Sequence, residues 1–347
     1  MKKKVLIVDD SAFVRQTLKN LLTSHEDIEV VGTAVNGVDA IEKVLRFNPD
    51  VILLDLEMPL MDGFSFMRWL MMERPTPVII VSSYSDRDTV FRALQAGAVD
   101  FIGKPTRKAS AVIENIEKEL LFKLKAIDSR VVEKLKDREE TPTTATSESF
   151  IKPTGRYQVL AIGASTGGPQ AIETILKGLP LLGIPVLITQ HMPQPFTGAF
   201  AERLNRILLW DVREAKHGDH LRANTVYICP GGRHMAVENK GENTVIKLLK
   251  PSPEDKYVPS VDILMRSVGE VFKNRAIGVI LTGMGKDGLK GMEVIKKAGG
   301  FTVAESEETA IVYGMPKAVI KAGLAEAVPL FRISSVLAMA ICGKEVS

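Results

Sequence analysis

Short runs of Val, Ile and Leu recur in the first third of the chain and alternate with stretches of amphipathic pattern. The runs are Val5–Val8, Val51–Leu54 and Val78–Val81. Such runs are typical of strands that are buried on both faces of a parallel sheet. Between two of them, Val14, Leu18 and Leu21 recur at the spacing of one helical face. The alternation predicts a doubly wound α/β domain over residues 1–125.

A second alternation of the same kind begins at Gln158. Its strand-like runs are Val159–Ile162, Pro185–Thr189, Val226–Cys229 and Ile277–Leu281. Helical patterns separate several of these runs, which predicts a second doubly wound, mostly parallel α/β domain over residues 155–347. The interval 210–251 is richer in short strand-like segments, so we expect an antiparallel edge or an insertion there.

Residues 126–154 differ in composition from both predicted domains. The part 127–140 is charged and continues the last helical pattern of the first domain. The part 141–154 contains seven Ser or Thr and two Pro. Such a composition cannot bury enough apolar surface to offset the loss of chain entropy, so we predict a linker over residues 126–154.

The composition of the whole chain excludes several classes of protein. A net charge of +3 over 347 residues gives no argument for nucleic-acid binding. Two cysteines cannot form a disulfide framework, and no metal-ligand spacing surrounds them. The basic start, Met1–Lys4, is followed by an apolar run of only four residues, too short for a signal peptide or a membrane span. We therefore expect a cytoplasmic protein.

Acidic residues follow two strands of the first predicted domain. Asp9 and Asp10 come directly after the first apolar run, and Asp55 comes after the second. The carboxyl ends of parallel strands meet at one edge of a sheet, so these carboxylates should lie close together. They would repel by ~4 kcal/mol per pair at an effective dielectric constant of ~20, a penalty that Mg²⁺ removes. Ser82 and Lys104, after later strands, are suited to contact a phosphoryl group.

In this order, and with Lys104–Pro105 closing the set, these residues resemble the receiver domain of two-component response regulators, whose fold is flavodoxin-like (βα)5. The roles that the resemblance implies are phospho-acceptor for Asp55, Mg²⁺ binding for Asp9, Asp10, Asp55 and the carbonyl of Glu57, switch hydroxyl for Ser82, reorienting aromatic for Phe101 and phosphoryl contact for Lys104. Because receivers accompany many different output domains, this half predicts regulation by phosphorylation and leaves the output open.

The segment from Gly163 to Gly168 reads Gly-Ala-Ser-Thr-Gly-Gly, between a predicted strand and a predicted helix. It fits G-x-S-x-G, a sharp turn that presents a nucleophilic serine, here Ser165. The helix N-terminus beside it suits a developing oxyanion. A dinucleotide fingerprint is a poor fit, because it needs glycine at position 165. A turn that binds phosphate without catalysis stays open.

A serine nucleophile needs a base and a carboxylate that orients the base. His191 follows a strand directly, and His234 follows another through a Pro-Gly-Gly turn, so both can reach the edge that carries Ser165. Spacing favours His191 without excluding His234. Asp287 lies in a glycine-rich turn after a strand, whereas Asp262 has the position of an acid in the first turn of a helix.

Three blocks of the second domain resemble the chemotaxis receptor methylesterases. They are Ala161-Ile162-Gly163-Ala164-Ser165-Thr166-Gly167-Gly168, Gln190-His191-Met192-Pro193 and Leu281-Thr282-Gly283-Met284-Gly285-Lys286-Asp287-Gly288. Further similar blocks are Pro230-Gly231-Gly232-Arg233-His234, Pro259-Ser260-Val261-Asp262 and Val312-Tyr313-Gly314-Met315-Pro316. The roles that the resemblance implies are nucleophile for Ser165, base for His191, orienting carboxylate for Asp287, oxyanion donor for the amide of Met284 and support of the site for Thr166.

The resemblance also implies an activity and its partners. The protein would demethylate glutamate methyl esters of methyl-accepting chemotaxis receptors, and deamidate receptor glutamines, with no cofactor in the esterase half. A chemotaxis histidine kinase would donate the phosphoryl group, and the protein would meet the membrane only through the receptors. The unphosphorylated receiver would cover the esterase site. Two alternatives stay open: a phosphorylation-controlled protein that binds an anion, and a hydrolase for another ester or a peptide.

Overall fold

The apolar runs of the sequence form the central strands of two parallel sheets. The computed structural model describes residues 2–83, 87–105, 110–127, 131, 134 and 155–343. The chain divides into two units, Met1–Glu140 and Thr141–Ser347. The predicted linker, 126–154, lies outside the described residues except at positions 126, 127, 131 and 134. The predicted domain boundaries stay predictions.

Strands and helices alternate throughout the first unit. Its elements are β1 (Lys3–Val8), α1 (Ala12–Thr23), β2 (Ile28–Ala34), α2 (Gly37–Phe47), β3 (Val51–Leu54), α3 (Gly63–Glu73), β4 (Val78–Ser82), α4 (Arg87–Gln95), β5 (Asp100–Gly103) and α5 (Ser110–Ala126). The strands pair in parallel in the order β2-β1-β3-β4-β5. Strand β3 is buried along its whole length. The flavodoxin-like (βα)5 prediction is confirmed.

The second unit also follows a strand–helix alternation, with an insertion. Its elements are β6 (Val159–Ala164), α6 (Gly168–Gly178), β7 (Val186–Gln190), α7 (Gln194–Ile207), β8 (Asp211–Glu214), β9 (Thr225–Ile228), β10 (His234–Lys240), β11 (Asn243–Leu249), α8 (Val261–Phe272), a 3₁₀ turn (Lys273–Arg275), β12 (Ala276–Ile280), α9 (Leu289–Lys297), β13 (Phe301–Glu305), α10 (Met315–Lys321), β14 (Glu326–Val328) and α11 (Leu330–Cys342).

Seven strands of the second unit form one parallel sheet in the order β14-β13-β12-β6-β7-β9-β8. Strands β10 and β11 form a separate antiparallel hairpin. This hairpin is the insertion expected within 210–251, while β8 extends the parallel sheet. The chain leaves β6 in the middle of the sheet and adds strands on both sides of it. In such a sheet the carboxyl edge beside the first strand is the usual place for a site.

Two expectations from composition concern the cysteines and membrane-spanning segments. Cys229 and Cys342 are both free cysteines. No helix among the described residues is long and apolar enough to cross a membrane.

Candidate functional site

The glycine turn after β6 places Ser165 at the carboxyl edge of the second sheet. Gly167 adopts φ +77°, in the left-handed region that favours glycine, and α6 begins at the next residue. Gly163 has no room for a side chain, because an added Cβ would lie 2.2 Å from Val261. The turn closes with a hydrogen bond from the Gly168 amide to the Ser165 carbonyl, 2.8 Å. The strand–turn–helix context expected for a nucleophilic serine is present.

Three adjacent strands deliver the predicted catalytic residues. Strand β6 pairs with β12 on one side and β7 on the other. The pairing continues beyond the strands, since the Ser165 amide donates to the Thr282 carbonyl at 3.0 Å and the His191 amide donates to the Ala164 carbonyl at 3.0 Å. Asp287 follows in the turn that leaves β12. Residues far apart in sequence therefore meet at one edge of the sheet.

His191 and Asp287 are in direct contact. His191 Nε2 lies 2.8 Å from Asp287 Oδ2, and both side chains are largely buried. Asp287 also accepts hydrogen bonds from the Ser260 hydroxyl at 3.0 Å and from the backbone amides of Val261 at 2.7 Å and Asp262 at 3.0 Å. These donors belong to the N-terminus of α8, which favours a negative charge.

The surroundings of Asp287 keep it ionised. Burial alone would raise the pKa of Asp287, but the hydrogen bond from His191, the charge of that imidazole and the amides of Asp262 and Val261 hold it below its ordinary value. A carboxylate only accepts, so when His191 is neutral its one ring proton sits on Nε2. Nδ1 then carries the lone pair that can act as a base. This ring orientation is the reverse of the chymotrypsin arrangement, in which Nδ1 faces the aspartate.

The contact between Ser165 and His191 is open in this structure. Among the described residues no hydrogen bond joins the Ser165 hydroxyl to the imidazole, although their strands are neighbours. Catalytic hydrogen bonds of this kind often close only when substrate is bound. The Met284 amide, predicted as an oxyanion donor, has no acceptor in the part of the chain that the structure describes. It is therefore available to a ligand.

Thr166 follows Ser165 within the nucleophile turn. Its carbonyl accepts from the Thr282 hydroxyl at 2.9 Å, which ties the nucleophile turn to the turn after β12. Its own hydroxyl is buried and has no hydrogen-bond partner among the described residues. The supporting role of Thr166 stays a prediction.

Two contacts of the site were missed by the sequence interpretation. The Gln190 side chain donates to the carbonyls of Ser165 at 2.8 Å and His191 at 3.1 Å, so one amide joins the two turns. The Tyr257 ring stacks on the His191 imidazole, with centroids 5.0 Å apart and planes 7° apart. Gln190 stands beside His191 in a quoted block and could have been inferred. Tyr257 comes from an irregular segment and gave no signal.

His234 and Asp262, the alternative candidates for the base and for the carboxylate that orients it, have other partners. His234 is buried, and its nitrogens contact Asp255 Oδ2 at 2.9 Å and the Ser260 amide at 3.1 Å. Both positions are used, so this ring has no atom left to act as a base. Asp262 accepts from the Gly291 amide at 2.8 Å, within the packing of α8 against α9. The geometry therefore favours His191 and Asp287 over both.

The predicted carboxylate cluster forms at the carboxyl edge of the first sheet. Asp9, Asp10 and Asp55 bring ligand oxygens within 4.8 Å of one another, and Asp9 and Asp55 are buried. Lys104 Nζ lies 2.6 Å from Asp55 and 3.5 Å from Asp9. Burial and the charge of Asp55 raise the pKa of Asp9 to about 6. Burial also raises the pKa of Asp55, although the hydrogen bond from Lys104 opposes it.

This cluster suits a hard divalent cation such as Mg²⁺. It offers only oxygen ligands, and its carboxylates outnumber the one lysine that contacts them in the described part of the chain. Asp9 Oδ2 is buried and makes no hydrogen bond among the described residues, with Lys104 Nζ 3.5 Å away. The amide of Glu57 faces Asp55 Oδ1 at 3.4 Å, so Glu57 borders the cluster. The role of the Glu57 carbonyl stays a prediction.

The residues predicted to respond to phosphorylation are Ser82, at the end of β4, and Phe101, in β5. The Ser82 hydroxyl donates to the Ser83 carbonyl at 3.2 Å. The Phe101 ring is buried, and Lys123 Nζ lies 5.0 Å from its centroid while pairing with Asp100 at 2.9 Å. In this state the hydroxyl bonds locally and the aromatic ring is held in the core.

Comparison with known proteins bears on both units. A family model described as CheB methylesterase matches residues 160–337, and one described as response regulator receiver domain matches residues 5–117. The crystal structure of the Thermotoga maritima CheB methylesterase catalytic domain is similar with a TM-score of 0.52 and 37% identity. It covers 53% of this chain and 99% of that one.

Curated relatives match over nearly the whole chain. "Protein-glutamate methylesterase/protein-glutamine glutaminase 3" of Geobacter sulfurreducens is 43% identical over 346 residues, covering 94% of this chain and 93% of that protein. "Protein-glutamate methylesterase/protein-glutamine glutaminase 1" of Myxococcus xanthus is 45% identical over 336 residues, covering 96% of each. The matches therefore extend over nearly the full length of this chain and of both relatives.

Proposed function

The chain belongs to the family of CheB methylesterases that carry a response regulator receiver domain, and from this premise we propose that Ser165, His191 and Asp287 form its catalytic triad. The protein is a protein-glutamate methylesterase and protein-glutamine glutaminase of chemotaxis, regulated by phosphorylation. The observation that carries the assignment of residues is the ionised Asp287, which fixes the His191 imidazole beside the nucleophile turn.

The acylation step follows from the tautomer of His191. Nδ1 removes the hydroxyl proton of Ser165 as its oxygen attacks the ester carbonyl of a glutamyl methyl ester. The Met284 amide donates to the oxyanion of the tetrahedral intermediate. When the intermediate collapses, the imidazolium returns the proton to the departing methoxy oxygen, and methanol leaves. Asp287 stabilises the imidazolium through Nε2 without itself taking the proton.

Deacylation repeats these steps with water as the nucleophile. Nδ1 takes a proton from water, the hydroxyl oxygen attacks the acyl-serine, and the proton returns to Ser165 as the glutamate carboxylate leaves. Deamidation of glutamine uses the same residues, with ammonia as the first leaving group. Because both leaving groups are small and take their proton from Nδ1, one site serves both reactions.

The receiver supplies the regulatory input. We place the phosphoryl group on Asp55, with a chemotaxis histidine kinase as donor and Lys104 as the residue that contacts it. Asp9, Asp10, Asp55 and the carbonyl of Glu57 would hold Mg²⁺, which neutralises the carboxylates and the incoming phosphoryl oxygens. Ser82 and Phe101 would respond to the new charge. The substrates are methyl-accepting chemotaxis receptors, met from the cytoplasm.

The Ser165→Ala variant tests the nucleophile. We expect methanol release from methylated receptor membranes to fall by ~10⁴-fold or more, because both chemical steps need the hydroxyl. Thr174→Ala is the matched control, since it removes an exposed hydroxyl from α6, the helix that follows the nucleophile turn, and should leave the rate unchanged. Loss of less than about tenfold in Ser165→Ala would contradict the assignment.

A second measurement separates catalysis from anion binding. A fluorophosphonate labels serines that a nearby base activates, so it should label the parent protein at Ser165 and not label Ser165→Ala. Labelling at another serine, or none at all, would favour a turn that binds an anion without covalent chemistry.

A further inference from the structure

A second His–Asp pair lies next to the candidate catalytic centre. His234 opens strand β10 and is 1% exposed. Its Nε2 lies 2.9 Å from Asp255 Oδ2, an oxygen that also accepts from the Ser252 amide at 2.6 Å. The amide of Ser252 and the hydrogen bond to His234 hold the pKa of Asp255 below its ordinary value. No role in the proposed chemistry accounts for this pair.

Two independent contacts fix the protonation state of His234. The Asp255 carboxylate only accepts, so Nε2 must carry a hydrogen. The backbone amide of Ser260 only donates, and it points at Nδ1 at 3.1 Å, so Nδ1 must carry a lone pair. The imidazole is therefore neutral, and it joins Asp255 to Ser260 as donor at one nitrogen and acceptor at the other.

The residue at the far end of this link holds the catalytic aspartate. Ser260 is the N-cap residue of α8, and its hydroxyl donates to Asp287 Oδ1 at 3.0 Å. The next two amides, of Val261 and Asp262, also donate to Asp287. The position of the first turn of α8 thus decides where these three donors point. The acceptor that fixes the Ser260 amide is Nδ1 of His234.

The same link borders a second contact with the imidazole of His191. Asp255 and Ser260 bound a short irregular segment, and the imidazole of His234 holds it at both ends. Tyr257 lies in this segment and stacks on the ring of His191 at 5.0 Å. His234 is therefore connected to His191 by two routes, through Ser260 and Asp287, and through Tyr257.

From these contacts we propose that His234 is a positioning residue, which acts through Ser260 and Asp287 to hold the His191 imidazole in its working orientation. The inference rests on the proposed triad. It assigns the effect to one atom, the Nδ1 acceptor that faces Ser260. The bond to Asp255 serves to keep the hydrogen on Nε2.

Two substitutions of similar size separate the two nitrogens. In His234→Asn the side-chain oxygen can take the place of Nδ1 and accept from Ser260, but the donor to Asp255 is lost. In His234→Gln the amide nitrogen can take the place of Nε2 and donate to Asp255, but the acceptor for Ser260 is lost. Both keep a polar amide in the same cavity, so they are matched in chemistry.

The expected result is a difference in kcat between the two variants. With the full-length chain and methylated receptor membranes, His234→Gln should lower kcat by about 10- to 100-fold, the range seen when groups that orient active-site ligands are removed. KM should stay within about threefold of the parent value, because the substrate contacts are unchanged. His234→Asn should retain kcat within about threefold. Equal kcat values for the two variants would overturn the proposal.

A double-mutant cycle distinguishes positioning from general stability. If His234 acts through Asp287, His234→Gln should lower the residual rate of Asp287→Ala by less than about twofold. A full 10- to 100-fold loss in that background would show a separate structural role and overturn the proposal.

Should His234→Gln fail to fold, Ser260→Ala tests the next link, since it keeps the amide and removes the hydroxyl bond to Asp287. That variant should lower kcat without changing KM, and a parental kcat would overturn the proposal.

The parent protein separates this inference from the proposed function. Fluorophosphonate labelling at Ser165 of the parent, together with parental kcat in His234→Gln, would remove only the role of His234. Absence of labelling at Ser165 in the parent would remove the triad and this inference with it.

Discussion

Asp287 in the second unit and Asp9 in the first are both almost completely buried, 3% and 1% exposed, yet their carboxyl groups are held in opposite ways. Burial, with the charge of Asp55, raises the pKa of Asp9 to about 6. Burial acts on Asp287 too, but the imidazole and the backbone donors around it outweigh that effect and lower its pKa. Both groups stand at the carboxyl edge of a parallel sheet, so sheet topology does not explain the difference.

The number of donors explains it. Asp287 accepts from His191, a hydroxyl and the amides that begin α8, so its charge is balanced by this chain alone. In the receiver, Asp9, Asp10 and Asp55 lie together, and Asp9 and Asp55 share the ammonium group of Lys104. A carboxylate that orients a base in every turnover should be fixed, whereas a cluster that takes up a cation should lack positive charge until the cation arrives.

The largest expected effect comes from neutralising the balanced carboxylate. Asp287→Asn should lower kcat by ~10⁴-fold, because the amide no longer selects the Nε2–H tautomer of His191. It should also lower the free energy of unfolding by about 1.5–3 kcal/mol. The side-chain NH2 group of Asn would replace a carboxylate oxygen that accepts hydrogen bonds, so a donor would then face donors. Methanol release and urea unfolding measure the two effects.

Asp262→Asn is the control for that variant. It lies in the first turn of α8, which donates to Asp287, and burial raises its pKa, but its side chain contacts Gly291 and not the imidazole. The amide oxygen can still accept from Gly291, so activity should change by less than about threefold. If Asp262→Asn costs as much activity as Asp287→Asn, the two acids do not differ in the way that their contacts indicate.

The unbalanced cluster should give the first unit an unusual dependence on pH. An acid whose pKa is raised by folding stabilises the protein below its ordinary pKa of 3.8 and loses that contribution as pH rises through its folded pKa of about 6. Without divalent cations, Asp9 should therefore make the first unit less stable at pH 7 than at pH 4, by on the order of 3 kcal/mol. For Asp287 the sign is opposite, since its lowered pKa stabilises the fold above 3.8.

This dependence can be measured with one tryptophan. Trp69 and Trp210 lie in different units, so Trp210→Phe leaves fluorescence that reports only on the receiver. In EDTA, the urea concentration at the unfolding midpoint of this variant should decrease as the pH rises from 5 to 7, and Mg²⁺ should make this decrease smaller. Asp9→Asn, made in the same background, should flatten it. A midpoint that increases over this pH range in EDTA would contradict the inference that the carboxylate cluster lacks positive charge.

The same contrast explains how much the sequence could predict. Strands of continuous apolar residues, the (βα)5 order and the parallel second sheet were predicted, because burial on both faces leaves a plain pattern of Val, Ile and Leu. The carboxylate cluster was predicted because its acids directly follow strands. Asp287 could be proposed as the partner of the base from the glycine-rich turn in which it lies. Spacing alone did not exclude His234 as the base.

The rest depends on contacts between distant segments. His234 was separated from His191 only by its two hydrogen bonds, to Asp255 and to Ser260. Tyr257 stacks on His191 from a segment without periodic pattern, so no local rule identifies it. Irregular segments are positioned by single hydrogen bonds, and a sequence pattern does not encode which bond forms.

The smallest expected effect joins the two carboxylate sites. Phosphorylation of Asp55 should change esterase activity by about 5- to 150-fold, the range of typical coupling free energies between sites. In Asp55→Asn the ratio of rates with and without phosphodonor should fall to about one, and radioactive phosphate should no longer be incorporated. Asp27→Asn, an exposed acid of the same unit, is the control and should keep both. A ratio that survives in Asp55→Asn would mean that the carboxylate cluster is not the input. The neutral amide of that variant cannot accept the phosphoryl group, and it leaves the cluster with one negative charge fewer.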